Sequence, residues 1–266
     1  MNIADKRGQV TIFIIIALVI VVLVGLLSYF WNDVKTFTIE TNPQSFLETC
    51  LSDPIKNSVS KILLSGGVSV NKNYYLYNGR KIEFLCYTNE YYKTCVLQQP
   101  FLKDFISKEI VNDLRPAVFD CLTSLRSEME SKGYAVTSSS SRSDLIMNLS
   151  LNRMDFIIVS PLTFSKGESA QSFSSFTISK RSEVYSLIMS AVYILNWEAR
   201  YGDFDTLSFM LSYPDLRLEK QKQSDGSKIY ILSSRSTLEE FNFASRSISW
   251  PPGLSFNEVI VGDQNE

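Results

Sequence analysis

No charged residue lies between Gly8 and Asn32, and from Val10 to Trp31 the chain reads VTIFIIIALVIVVLVGLLSYFW, an apolar run of 22 residues. At about 1.5 Å per helical residue this run extends roughly 33 Å, enough to cross a hydrocarbon core of about 30 Å. A cleaved secretory signal has a shorter core and a small-residue cleavage site, whereas this run closes on Ser28, Tyr29, Phe30 and Trp31. A buried core helix would need to lack a charged face over six turns, so the pattern favours a membrane span. Lys6 and Arg7 precede the run, and Asp33 and Lys35 follow it. That asymmetry places the N-terminus inside and the rest of the chain outside, with the Tyr-Phe-Trp end at the exit interface. The expected organisation is a cytoplasmic N-terminus (1–8), a transmembrane helix (9–31) and a juxtamembrane connector (32–43), followed by an extracytoplasmic domain.

Downstream, the periodicity changes. Asn42-Pro43 starts a helix, with Asn as cap and Pro in the first turn; Phe46, Leu47, Cys50, Leu51, Ile55, Val59, Ile62 and Leu63 recur at helical spacing until Gly66-Gly67. Pro54 marks a kink or restart. Tyr74 to Tyr87 holds two β-prone runs around Asn78-Gly79, the pairing that a two-residue type I′ hairpin requires. A second helical pattern fills Phe101 to Lys132, interrupted at Pro116 and closed by Gly133. Together these form a helix-hairpin-helix region (44–136). A Ser-rich loop (137–143) separates it from an α+β region (144–266).

In that second region, Leu145–Leu151 and Met154–Val159 alternate around Asn152-Arg153, and a short run lies near Phe173 to Ile178. A helix fits Glu183 to Arg200, with Val184, Leu187, Ile188, Ala191, Ile194 and Leu195 as its apolar stripe, and Asp205 caps a short helix. Leu216–Gln223, Lys228–Ser233 and Glu240–Ser247 read as strands, with a turn at Asp225-Gly226. Antiparallel strands with segregated helices make the fold class α+β.

The four cysteines, Cys50, Cys86, Cys95 and Cys121, all follow the apolar run, as an exported disulfide-bonded domain requires. Four cysteines allow three pairings. Spacing suggests Cys86 with Cys95 across a Tyr-rich loop, and Cys50 with Cys121 between the two predicted helices. Zinc is disfavoured because no pair has C-x2-C to C-x4-C spacing and the chain contains no histidine; four buried thiols are the remaining reading.

Composition narrows the chemistry. The chain is 45% hydrophobic and 20% charged, with net charge −2 and pI near 5.4, so it has no basic footprint for nucleic acid. Without histidine there is no Ser-His-Asp triad, Cys-His dyad or HExxH zinc site, and no phosphate-binding glycine motif occurs. No cofactor is implied. The remaining chemistry is a weak acidic cluster, Glu198, Asp203 and Asp205, which could act as acid and base or bind a hard cation; as structure, the same residues end one helix and cap the next. Asn148 opens the one N-x-[ST] sequon. Tyr74, Tyr75, Tyr77, Tyr87, Tyr91 and Tyr92 offer either a binding surface or cross-strand packing.

Lys6-Arg7-Gly8-Gln9 followed by the apolar helix resembles the class III signal of archaeal type IV pilin-like proteins. That resemblance implies cleavage after Gly8, leaving Gln9 as the new N-terminus; the glutamate that the pattern carries five residues into the mature chain is Phe13 here. The segments YNGRKIEFLCYTNEYYKTC, EARYGDFD, KQSDG and FASRSISWPPG resemble an uncharacterised family of single-span archaeal membrane proteins. The expectation is a cell-membrane protein in contact with the bilayer through its N-terminal helix, with protein partners or self-association, in a non-catalytic surface, structural or interaction role. The alternatives are a pilin-like subunit and a membrane-anchored carboxylate-dependent enzyme.

Overall fold

In the computed structural model, residues 15–26, 42–139 and 143–251 are described. Residues 15–26 form a helix (α1) whose large side chains are all exposed. Among the described residues no helix is long and apolar enough to cross a membrane: the 12 residues of α1 extend about 18 Å. The flanks of the expected span, residues 32–41 of the expected connector and the Gly8-Gln9 processing position lie outside the described residues, while the connector's last two positions, Asn42 and Pro43, belong to the start of the next helix.

The chain divides into two units, Met1–Glu40 and Thr41–Glu266. The second unit begins with α2 (Pro43–Leu64), where the Asn42 side chain accepts a hydrogen bond from the Gln44 N–H at 3.0 Å and Pro43 occupies the first turn. Leu47, Leu51, Ile55, Val59 and Ile62 are buried along one stripe. α3 (Leu102–Ser131) repeats the pattern from Leu102 through Ile106, Ile110, Leu114, Val118, Cys121 and Leu125 to Met129. Both helices continue through their internal prolines, so the chain neither restarts at Pro54 nor is interrupted at Pro116 as the sequence suggests. Pro116 is exposed, so water can take up the carbonyl that the missing N–H leaves free.

Two sheets complete the domain. The first contains β1 (Tyr74–Tyr77), β2 (Arg80–Tyr87), β8 (Leu216–Lys222), β9 (Ser227–Ser234) and β10 (Glu240–Arg246), in the order β1-β2-β10-β9-β8, with β3 (Val96–Leu97) also on β2. Asn78 and Gly79 both have positive φ, 47° and 77°, in the two-residue turn between β1 and β2. The sheet is mixed rather than antiparallel throughout, because β10 pairs with β2 in parallel. Parallel partners need a long crossover, and alternation within a strand carries no trace of it. The second sheet is antiparallel: β6 (Arg153–Lys166) pairs on one edge with β5 (Asp144–Ser150) and β4 (Ala135–Ser138), and on the other with β7 (Ser169–Arg181). β6 and β7 are about twice as long as the alternation indicated, because a bulge between Val159 and Leu162 carries the ladder past Pro161.

α2 packs on β10 of the first sheet and β7 of the second, and α4 (Val184–Tyr201) packs on β10. β4 pairs with β6 across the Ser-rich segment, so the helix-hairpin-helix and α+β regions share one unit. Disulfides join Cys50 to Cys121, linking α2 to α3 with Cα atoms 6.0 Å apart, and Cys86 to Cys95, with Cα atoms 5.3 Å apart. Because the first bridge closes a separation of 71 residues and the second only 9, chain entropy assigns about 4 kcal/mol to the former and about 2.5 to the latter. Thermal unfolding of Cys50→Ala/Cys121→Ala should therefore show a larger fall in midpoint than Cys86→Ala/Cys95→Ala.

Candidate interaction face

α4 is apolar on two sides. Val184, Leu187, Ile188, Ala191, Ile194 and Leu195 form the buried stripe expected from the sequence. Met189, Tyr193, Trp197 and Tyr201, also four residues apart, form a second ridge that stays exposed. The chain then turns through Gly202 into α5 (Thr206–Ser212), which adds Leu207 and Leu211, with Tyr213 beyond it; exposure across these residues runs from 41% at Trp197 to 76% at Leu211. The rings are continuous. Trp197 lies 6.2 Å from Tyr193 and 4.7 Å from Tyr201, the Tyr193 and Trp197 rings both meet Phe204, and the chain of rings continues through Phe209 to Tyr213 at 5.7 and 4.9 Å. Phe204 and Phe209 are buried and form the base on which the exposed rings stand.

Local chemistry fixes the corner. Gly202 adopts φ +82° and returns its N–H to the Glu198 carbonyl at 3.0 Å; a Cβ there would lie 2.0 Å from the Ile248 side chain, so only glycine fits. Asp205 accepts from the N–H groups of Leu207 and Ser208 at 2.9 and 3.3 Å, capping α5.

Beneath the corner lies a buried polar network. Glu198, fully buried on α4, accepts at Oε1 from the Tyr230 hydroxyl at 2.5 Å and at Oε2 from the Ser245 hydroxyl at 2.9 Å. The buried Lys228 ammonium donates to both carboxylate oxygens, at 3.1 and 2.9 Å, and to the Gly202 carbonyl. Ser247 donates to the Glu198 carbonyl at 2.9 Å and accepts from the Cys95 N–H at 3.0 Å. Burial, then the charge of Glu198 and its hydrogen bond, raise the Tyr230 phenol far above its ordinary value, so it remains a donor. Asp203 sits at the edge of this network, with Lys220 at 2.8 Å, Lys222 at 3.2 Å and Lys228 at 3.6 Å. Partial burial pushes its carboxyl up, but the Lys220 hydrogen bond and the charges of Lys228, Lys220 and Lys222 outweigh that and bring it down to about 2.

The acidic residues singled out in the sequence therefore have separate tasks. Glu198 is saturated within the core, Asp203 holds lysines, and Asp205 caps a helix. Among the described residues no group of three acidic or cysteine side chains could hold a metal ion. Asn148 is exposed on β5. Of the tyrosines, Tyr75, Tyr77 and Tyr87 pack against Ile82, Phe84, Ile229 and Ala244, while Tyr74, Tyr91 and Tyr92 are exposed. The larger aromatic surface is on α4–α5, and its signal was the four-residue spacing of Met189, Tyr193, Trp197 and Tyr201 running beside the core stripe.

Lys228→Met leaves the Glu198 carboxylate buried without its counter-ion and should lower the unfolding free energy by about 3–5 kcal/mol; Lys228→Met/Glu198→Gln should lose less than the sum of the single changes in denaturant titrations. Because the Asp203 pKa is depressed in the folded state, its contribution to stability is present above about pH 4 and is lost as pH falls through about 2. Asp203→Asn should flatten thermal midpoint against pH across that window. No known protein family, curated protein or solved structure matches this chain.

Proposed function

We propose that this chain is a single-pass, membrane-anchored extracytoplasmic protein whose α+β domain works by contact rather than catalysis. The observation that carries the reading is the α4–α5 face. Contiguous exposed apolar surface of this kind marks interaction sites, and Trp and Tyr are the residues around which binding energy concentrates. The face is also rigid: its rings rest on Phe204 and Phe209, and its corner is tied down through Lys228. The partner is another protein or another copy of this chain.

The anchor is the apolar run from Val10 to Trp31, oriented by Lys6 and Arg7. A helix apolar on every side, as α1 is, calls for an apolar medium. Two disulfides suit an oxidising compartment. Asn148, exposed on β5, is open to a glycan there.

Protease applied to intact cells should remove the domain, and sequencing of the retained fragment separates an uncut chain from one starting at Gln9, the pilin-like alternative. A photoreactive phenylalanine analogue at Tyr193 should cross-link in the native membrane, whereas one at Tyr92 should not. Leu207→Asp/Leu211→Asp, at two exposed positions, should abolish that cross-link while moving the thermal midpoint by only a few degrees. Protection of the domain in intact cells would sink the topology, and equal cross-linking from both positions would sink the contact role.

A further inference from the structure

A groove of about 510 Å³ lies along α2, away from the elements that carry the aromatic face. Its floor is Ile55, Val59 and Leu63, one turn apart on α2, with Met154 of β6 beside them. From Ser52 to Leu64 this track is about 18 Å long. Cations stand at both ends. Lys56, Lys180 and Arg181 gather at the Ser52 end, where the Lys180 ammonium donates to the Ser52 hydroxyl at 3.2 Å. Arg80 stands at the other end, three residues before Glu83, whose N–H donates to the carbonyl of Ser65 just beyond α2. Among the described residues Lys56, Arg80 and Arg181 have no ion-pair partner.

The two carboxylates in the same wall form no ion pair with these cations and accept from neutral donors instead, leaving four cations against two anions along the groove. Glu239 accepts from the Ser182 hydroxyl, the Glu183 N–H and the Thr237 hydroxyl at 2.6, 2.6 and 2.8 Å, and Glu240 accepts from Asn242 at 2.8 Å. Leu238, which lines the groove beside them, is 83% exposed and held at φ +59°, a strained conformation for leucine. An exposed leucine held under strain at the mouth of an apolar groove is an arrangement that isolated stability does not explain.

We propose that this groove takes a short extended segment of a partner protein in which apolar side chains are flanked at both ends by Asp or Glu. The apolar floor fits the middle of such a segment and the unpaired cations fit its ends. Cations at both ends favour a segment with two acidic ends over an acyl lipid, which carries one head and one tail. At about 3.3 Å per residue, 18 Å accommodates five or six residues. The groove adds a second surface to the contact role proposed above and stands whether or not the N-terminal helix spans a bilayer.

The test is to pan a display library of random octapeptides on the full chain held in zwitterionic nanodiscs, then to follow a labelled copy of an enriched peptide by fluorescence polarisation. Enriched peptides should carry acidic residues on both sides of two or three apolar ones. Their binding should weaken with salt and fall at least about tenfold for Arg80→Glu or Arg181→Glu, and equally when the peptide acids become Asn and Gln. Lys56→Gln, the mildest change, should give a smaller loss in the same direction and keeps the test open if a charge reversal impairs folding. No enrichment, enriched peptides without acids, or peptides indifferent to Arg80→Glu and Arg181→Glu would overturn the proposal. So would oleate, or phosphatidylglycerol vesicles, binding with the same dependence on Arg80 and Arg181. Cross-linking at Tyr193 reports separately on the aromatic face, so either surface can fail alone.

Discussion

A carboxylate with no access to water must be matched completely or it destabilises whatever encloses it, and Glu198 is matched at every acceptor position. The matching groups come from β9 and β10, while Glu198 itself belongs to α4. One buried charge thus fixes the helix against two adjacent strands, and the Lys228 ammonium that neutralises it also holds the carbonyl at the helix end. A purely apolar contact at this position would tolerate a sliding or rotated helix, whereas the hydrogen-bond geometry of an ammonium, a phenol and a hydroxyl around one carboxylate accepts one setting.

That setting decides what the domain shows to its surroundings. With one side of α4 committed to Glu198 and the core, its opposite ridge has to face outward, and the glycine corner directs α5 so that Phe204 and Phe209 support the exposed rings. The aromatic surface is thus a consequence of how the core is satisfied. The disulfide between α2 and α3 works at another place, drawing together two long helices, one of which touches both sheets.

Much of this was legible in the residues. Helix positions followed from four-residue spacing and the caps at Asn42 and Asp205, and the first hairpin followed from Asn78-Gly79, because those signals are local. The parallel pairing of β2 with β10 was not legible, since alternation gives a strand's faces but not its neighbour. The length of β6 was hidden by Pro161, which reads as a terminus and is accommodated instead by a bulge. At the candidate face, Glu198, Asp203 and Asp205 stood out because they are acidic and close in sequence, yet Glu198 turns into the core, Asp203 meets it only through the shared Lys228, and Asp205 caps α5. The exposed ridge went unread because a helix apolar on two sides resembles one that is simply well buried.

The order of strands in the first sheet has a bearing on how the chain is made. β10 is the last strand among the described residues but lies between β2 and β9, and Ala244 meets Phe84, some 160 residues earlier. A chain that emerges from the ribosome or a translocation channel N-terminus first displays β2 long before the strand that completes it arrives. Closure of so large a loop comes late and carries the entropic burden of non-local pairing. Clipping before residue 240 would remove the middle of the sheet rather than its border, leaving β2 and β9 as open edges of the kind that recruit strands from neighbouring molecules.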